Sequence, residues 1–548
     1  MRQPFAWEAS YPEVLKNYRF EPQRLAGTMD RLASDGARQF GDKAAVTLVL
    51  PNGFTHDLSF AQIDALSDDF AAYLAHGLGL QPGDVLALQL PNCLQYPIAA
   101  FAAWKAGLIL TNVNPLYTPR EVAYQLQDSG AKALVACDLF IKTILDAGVL
   151  GSDFPLVVAS MEEFLKAPEA VQYQYFPQGA TGFAAALAKG AGLPRAKCVP
   201  QEVALYQYTG GTTGRSKGAI LTHANLGATL LMMNDFQAAY DNDITAEDCI
   251  VTAIPLYHIF AFTINFLAFY HAGARNLFIP NPRPLVNMKP AFEQFHVTWL
   301  TGVDTLYAGL LAEPWFQANP PKLRVAISGG TTLRPSTAER WNSTVCKLLE
   351  GFGMTESSCI ACCHPASGEH RVGWVGVPMP GCQVRIVDDA GNDLPPGTPG
   401  EIILKGPHMV SGYLNRPDEQ GVSFRDGWFY TGDIAVMDET GFFQIVDRKK
   451  DLVIVSGFNV YPNEVEAVLA EHPDVVEVAV IGVPDEQTGE AVRAVVASRN
   501  PNLTAEMLIV HCRERLTGYK IPRQVVFMEQ LPKSTVGKIL RAELRKQA

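Results

Sequence analysis

Basic residues are in short supply in this sequence: 44 lysines and arginines stand against 56 acids, a formal net charge of -12. That balance argues against a protein whose affinity rests on neutralising a phosphate backbone, so no nucleic-acid partner is expected. An anion can still be held, but by locally placed donors and not by the overall field. Cysteine is sparse too. Ten in 548 residues are too few for a disulfide framework and fit reduced thiols. Uninterrupted membrane-length runs are also missing. Residues 85–104 and 249–274 lack Asp, Glu, Lys and Arg for long enough to imitate one, but Pro91-Asn92 breaks the first. The second carries Pro255, His258, Asn265 and His271, all poorly suited to hydrocarbon, so both read as buried core. The N-terminus reaches Glu8 before an apolar run can build, and no signal peptide or lipidation motif is expected. The reading is cytoplasmic, with peripheral contact to the inner membrane and a homodimer both left open.

What is present is ample core material: 48% hydrophobic and 18% charged residues, over a length that calls for several modules. Through the first two-thirds, strand-like runs alternate with helical patterns. Val85-Leu-Ala-Leu-Gln-Leu90 precedes a helix candidate at 96–106, and Leu108-Ile-Leu-Thr-Asn-Val113 precedes Thr118-Pro119-Arg-Glu121, a cap followed by proline and an acid in the first turn. This is the rhythm of a doubly wound, largely parallel sheet, class α/β. The Ala/Gly-rich segment 179–192 reads as a mobile surface connection. From about Gly381 short alternating runs between Gly and Pro turns suggest a small antiparallel β module. After 447–451 the chain restarts as an α+β domain of about 100 residues.

The most informative stretch is Tyr208-Thr-Gly-Gly-Thr-Thr-Gly-Arg-Ser-Lys-Gly218. Its glycines, Gly210, Gly211 and Gly214 among them, let backbone N–H groups turn inward as an anion-binding nest. Thr209, Thr212, Thr213 and Ser216 add hydroxyls, and Lys217 adds a charge. A strand-like run, Val203-Ala-Leu-Tyr-Gln207, leads into it as a phosphate loop requires, although the lysine spacing is not that of the usual P-loop.

Further motifs follow in order: Pro255-Leu-Tyr-His258, Gly351-Phe-Gly-Met-Thr-Glu356, Tyr430-Thr-Gly-Asp433, Asp447-Arg-Lys-Lys-Asp451 and Pro532-Lys-Ser-Thr-Val-Gly-Lys538. Together with the loop they resemble the signatures of the adenylate-forming superfamily, over nearly the whole chain. Asp426-Gly-Trp-Phe-Tyr-Thr-Gly-Asp433 running on to Arg448-Lys-Lys450, with Asn114-Pro-Leu-Tyr-Thr-Pro-Arg120 and Ser456-Gly-Phe-Asn-Val-Tyr-Pro-Asn-Glu464, resembles the bacterial long-chain fatty acyl-CoA synthetases.

The resemblance implies a division into a large N-terminal adenylation domain of doubly wound sheets with a small β-barrel-like module (1–446), a hinge (447–451) around Lys450, and a small mobile C-terminal domain (452–548). It implies ATP, Mg²⁺ and coenzyme A, with a fatty acid as the acyl substrate. Thr209, Thr212, Thr213 and Lys217 would meet the β- and γ-phosphates, Thr355 the α-phosphate, and Glu356 with Thr209 the metal. Gly329, Gly330 and Thr331, with Gly351, Phe352, Gly353 and Met354, would face the adenine side. Asp433, Ile445 and Arg448 would face the ribose, and Lys538 the pentavalent α-phosphate. Gly457, Phe458 and Asn459 would line the coenzyme A path. The aromatic run 258–270 reads as walls of an acyl pocket with His258 at its mouth, or equally as a core helix. Cys359-Ile-Ala-Cys-Cys-His364 reads as small side chains lining that pocket, not as a zinc site, since a second Cys/His pair at suitable spacing is missing nearby. An aryl- or other acyl-CoA ligase, an acyl-AMP ligase serving a carrier protein, and a non-catalytic acyl-binding protein are the alternatives.

Overall fold

The computed structural model describes residues 5–25, 27–151, 154–167, 170–199, 201–209, 216–534 and 537–547. Two large sheets form the N-terminal domain. In the seven-stranded sheet, Ala131–Cys137, Val85–Gln89, Ile109–Asn112 and Val203–Thr209 lie side by side and parallel. Lys217–Thr222 closes the edge antiparallel to Val203–Thr209. In the nine-stranded sheet the parallel centre runs Leu348–Phe352, Val325–Gly329, Trp299–Gly302, Cys249–Thr252, Arg275–Phe278 and Ala44–Val49. Buried on both faces, these strands read as continuous apolar runs.

Both charge-free windows fold as strand then helix. In the first, Val85–Gln89 turns into Gln95–Lys105, a helix buried all round. In the second, Cys249–Thr252 leads to a π-helical stretch, Ala261–Ala268. Asn265 pins that helix to the sheet: its Nδ2 donates to Thr252 Oγ1 (3.0 Å), its Oδ1 accepts from Thr301 (2.9 Å), and its backbone carbonyl accepts from Asn276 Nδ2 (2.6 Å). The wide turn leaves that carbonyl free for a side-chain donor. Among the described residues no helix is long and apolar enough to cross a membrane.

Local signals set many boundaries. Thr118 caps Pro119–Ser129, with the Glu121 carboxylate accepting from the Thr118 N–H at 2.8 Å. The segment 179–192 corrects the sequence reading: it holds a helix, Phe183–Ala191, with Phe183, Ala186, Leu187 and Gly190 buried. A Cβ on Gly190 would lie 1.8 Å from the Asp69 carbonyl oxygen, so the glycine permits close approach to the helix Phe60–Ala72. The same small residues that suggest a loose linker serve here as a packing face.

The antiparallel module pairs Gln383–Val387, Gly400–Lys405, Trp428–Met437, Phe424–Arg425 and Phe443–Arg448. The smaller α+β C-terminal domain has its own sheet, led by the long hairpin of Val475–Asp485 with Gly489–Ser498, and its own apolar cores around Val480 and Ile481.

Candidate active site

The ends of the parallel strands collect the motifs. Thr209, His258, Gly329–Thr331 and Phe352–Glu356 follow the carboxyl ends of four strands, where open α/β sheets hold their ligands. Gly329 pairs with Gly351 across two adjacent strands, so the two glycine-rich segments emerge side by side. Ser328 Oγ and Thr331 Oγ1 beside them are buried and have no hydrogen-bond partner among the described residues. Buried hydroxyls are costly to leave unpaired, so these two fit a site completed by a polar ligand.

Beyond Phe352 the chain doubles back tightly. A Cβ on Gly353 would lie 1.9 Å from the Cys359 carbonyl oxygen. Ser358 (φ 50°) and Cys359 (φ 117°) both occupy the left-handed region, held by Ser358 Oγ donating to the His408 carbonyl (2.6 Å) and the Cys359 N–H donating to the Met354 carbonyl (3.1 Å). Strain of this kind persists where the surroundings over-determine it, and here it presents Thr355 and Glu356. The Glu356 carboxylate accepts from the Tyr413 hydroxyl. Burial pushes its pKa up, against the opposing pull of Tyr413 and Arg448.

Asp433 and Arg448 are cross-strand partners in the antiparallel module, joined by an ion pair of 2.8 Å. Asp433 is buried, and burial raises its pKa while Arg448, Lys538 and Lys450 oppose the rise. Lys538 therefore reaches this corner from the C-terminal domain. Its pKa is lowered to about 8, first by burial and then by Arg448, with Asp433 acting the other way and Arg541 and Lys450 adding to the fall. His258 is held down to about 4 by burial and by Lys538, so it is neutral at pH 7. Its Nδ1 accepts from the Phe260 N–H (3.2 Å), which leaves the hydrogen on Nε2. Lys538, His258 and Glu356 are each partly exposed yet enclosed by protein.

Gly210, Gly211, Thr212, Thr213 and Gly214 lie outside the described residues. Lys217 is ion-paired with Glu419 and lies over the Tyr413 ring, 5.3 Å from its centre, so its charge is already engaged. Ile445 lies in the strand beside Arg448, and Lys450 is exposed in the short turn Lys449–Asp451. Gly457 and Ser456 form a two-residue hairpin turn with positive φ, and Phe458 and Asn459 beyond it are exposed. Phe458 stacks on Tyr519 of its own domain at 4.9 Å.

The aromatic run resolves mainly as core. Phe262, Phe266, Phe269 and Tyr270 are buried, with Phe266 against Tyr96 and Phe101. The partly exposed Phe260 lies against Gly329. Cys362 and Cys363 are fully buried in the main core, burial raises both thiol pKa values, and His364 spends both ring nitrogens on Pro365 and Arg371 backbone groups. Among the described residues no group of three His, Cys, Asp or Glu side chains is disposed to hold a metal ion. Tyr413 and Glu419 were not anticipated, since neither residue type marks a site by itself.

The chain matches the AMP-binding enzyme family over residues 34–414, and that family's C-terminal domain over 464–538. It belongs to the AMP-binding enzyme family. A long-chain-fatty-acid–CoA ligase of Yersinia pestis is 45% identical, covering 98% of this chain and 97% of its own. One from Escherichia coli O6:H1 (strain CFT073) is 42% identical over 99% and 98%. A feruloyl-CoA synthase of an Amycolatopsis species is 34% identical over 87% and 92%. Among solved structures, ATP-bound MatB from Rhodopseudomonas palustris superposes with a TM-score of 0.82 at 29% identity, covering 94% of this chain and 98% of its own. The anthranilate CoA ligase AuaEII with anthranoyl-AMP gives 0.85 at 25% identity, over 96% and 99%.

Proposed function

We propose that this AMP-binding enzyme joins a long- or medium-chain fatty acid to coenzyme A through an acyl-adenylate, releasing AMP and pyrophosphate. The observation that carries the reading is the electrostatic state of Lys538. Its ammonium is enclosed beside Arg448, Lys450 and Arg541 with Asp433 as the opposing charge. Arg448 already engages Asp433, so the enclosed Lys538 ammonium has no carboxylate of its own among the described residues and suits a phosphate oxygen.

In the first step a carboxylate oxygen attacks the α-phosphorus of ATP and the bond to the β-phosphate bridging oxygen breaks, so pyrophosphate carries away the electron pair. Negative charge grows on the α-phosphate, where Lys538 and Thr355 stabilise it. Asp433 would accept from the ribose hydroxyls with Arg448 fixing its carboxylate, while Phe352 and Gly329–Thr331 would face the adenine. Thr209, the loop 210–214 and Lys217 would hold the outer phosphates, with Glu419 displaced from Lys217. The Glu356 carboxylate, whose ionised form is disfavoured by desolvation, would be stabilised by a Mg²⁺ arriving with ATP and held together with Thr209, and that ion would neutralise phosphate charge. Neutral His258 would donate from Nε2 to the acyl carboxylate. In the second step the coenzyme A thiol, having given up its proton, adds to the acyl carbon and AMP leaves. For that step the C-terminal domain would turn about Lys450, withdrawing Lys538 and bringing in Gly457, Phe458 and Asn459.

With the aromatic run largely in the core, the choice of fatty acid rests on the Yersinia and Escherichia relatives, whose identity exceeds that of the feruloyl-CoA synthase. That synthase and the anthranilate ligase support an aryl substrate as the second reading. Pyrophosphate release and coenzyme A-dependent thioester formation, measured across saturated acids of graded length plus ferulate and anthranilate, separate the two. Highest kcat/KM on a long saturated acid is expected; highest kcat/KM on an aryl acid replaces the first reading with the second.

A further inference from the structure

Lys538 acts only if its loop is seated to within a fraction of an ångström, and the seat is visible. The described ends of the loop are tied to each other. The Lys538 N–H donates to Ser534 Oγ (3.1 Å), the Ser534 N–H donates to the Lys538 carbonyl (2.7 Å), and Lys533 bridges Ile539. Whatever moves Gly537 therefore moves Lys538 with it.

Gly537 rests on the N-terminal domain. A Cβ built on it would lie 2.8 Å from Thr305 Oγ1 and 3.7 Å from a Val303 methyl. Thr305 lies at the start of the helix Asp304–Leu310, just beyond the carboxyl end of the strand Trp299–Gly302. That strand runs between the ones that deliver His258 and Gly329. The turn is pinned from below: the buried Asp304 carboxylate accepts from the Arg334 N–H (3.1 Å) and from Arg334 Nε (2.7 Å). Thr305 Oγ1 is buried and has no hydrogen-bond partner among the described residues, and what it presents to Gly537 is a close steric contact.

We infer that Thr305 is a positioning residue for the first half-reaction: a fixed seat on which Gly537 lands, setting the depth to which Lys538 enters the cleft. This rests on the proposed adenylation chemistry. A misplacement of about 1 Å can cost on the order of 100-fold in rate, so a residue that never touches substrate can govern the step through the lysine it places. The second half-reaction, for which Lys538 is withdrawn, does not use the seat.

The test separates the half-reactions, with acyl-AMP formation followed by pyrophosphate release and thioester formation started from supplied acyl-AMP and coenzyme A. Wild-type failure in the first assay would sink the chemistry itself, independently of the seat. Given an active wild type, Thr305→Leu should slow acyl-AMP formation at least about tenfold by lifting Gly537, and leave thioester formation within about twofold. Thr305→Val, which keeps the shape and drops the hydroxyl, should stay within about threefold in both. Gly537→Ala should slow the first half-reaction, and Thr305→Ala in the same chain should restore at least about threefold of that loss by clearing the added methyl; the remainder reflects the positive φ of +82° at 537. Equal losses in both half-reactions for Thr305→Leu, a Val variant as impaired as Leu, or no recovery in the double variant each overturns the seat.

Discussion

Lys538 and Arg541 stand three residues apart, yet their surroundings are electrostatic opposites. Lys538 points among Arg448, Lys450 and Arg541, and its pKa falls to about 8. Arg541 reaches Glu466 (2.8 Å), Asp451 (3.3 Å), Asp447 (3.7 Å) and the Asn463 side-chain oxygen Oδ1 (2.6 Å), and those carboxylates raise its pKa against the cost of burial. Arg545 adds a second bond to Asp451 at 2.6 Å. One corner is short of negative charge and the other is closed on itself. A satisfied network holds a shape, whereas an unsatisfied one waits for a ligand.

The sharpest way to break this contrast is to remove the waiting charge. Lys538→Ala should slow acyl-AMP formation by about 1,000-fold, in the range of losing a preorganised donor at a developing oxyanion. Thioester formation from supplied acyl-AMP should remain within a few-fold. Equal loss in both would mean that Lys538 belongs to the structural side of the comparison.

Arg541→Gln tests the closed corner. It strands the Glu466 carboxylate, whose pKa burial already raises, while Asp451 keeps Arg545. Removing one partner of such a network costs about 3–5 kcal/mol. A urea titration should show the C-terminal domain unfolding first, with stability reduced by about 3 kcal/mol. A loss below about 1 kcal/mol would mark the network as a surface decoration.

The comparison also predicts a pH signature. A lysine whose pKa is lowered loses its charge as pH rises through that value, so kcat/KM for ATP in the first half-reaction should fall above about pH 8. The slope should approach tenfold per unit. Lys538→Arg, which does not titrate there, should flatten that limb even at a lower absolute rate. A limb unchanged in the arginine variant assigns the titration to another group. His258, already neutral above about pH 4, adds nothing to it.

How far these two corners were legible beforehand depends on the kind of signal each leaves. Thr118-Pro119-Arg-Glu121 and Gln383–Val387 announce a helix start and a strand because capping and alternation are local. Asp433, Arg448 and Lys538 were recognisable as motif members, but their convergence depends on a cross-strand register and on a domain landing, which no short window encodes. The segment 179–192 misled because glycine marks both loose loops and close packing, and only Asp69 decides between them. The run 258–270 was ambiguous for a related reason: aromatic walls and aromatic core have the same composition, and Tyr96 and Phe101, the partners of Phe266, lie far away in the sequence. Thr305 and Glu419 leave no sequence signal, since each matters through one contact with a distant segment.

Glu419 gives the smallest effect and the finest test. It sits between the two extremes, because the carboxylate that pairs with Lys217 is one ATP must displace if that lysine is to meet a phosphate. Both side chains are partly buried, at 26% and 21% exposure, so the pair lies near the weak end of ion pairs, about 0.5–1 kcal/mol. Glu419→Gln keeps the side chain's length and hydrogen-bonding capacity and removes its charge. If Glu419 only competes with ATP, the KM for ATP should drop about two- to fivefold with kcat little changed, as measured by pyrophosphate release at saturating acid. If instead Glu419 is what aims Lys217 at the phosphates, the KM should rise. The direction of that one change therefore decides whether the Lys217–Glu419 pair opposes nucleotide binding or prepares it, and hence on which side of the comparison Lys217 falls.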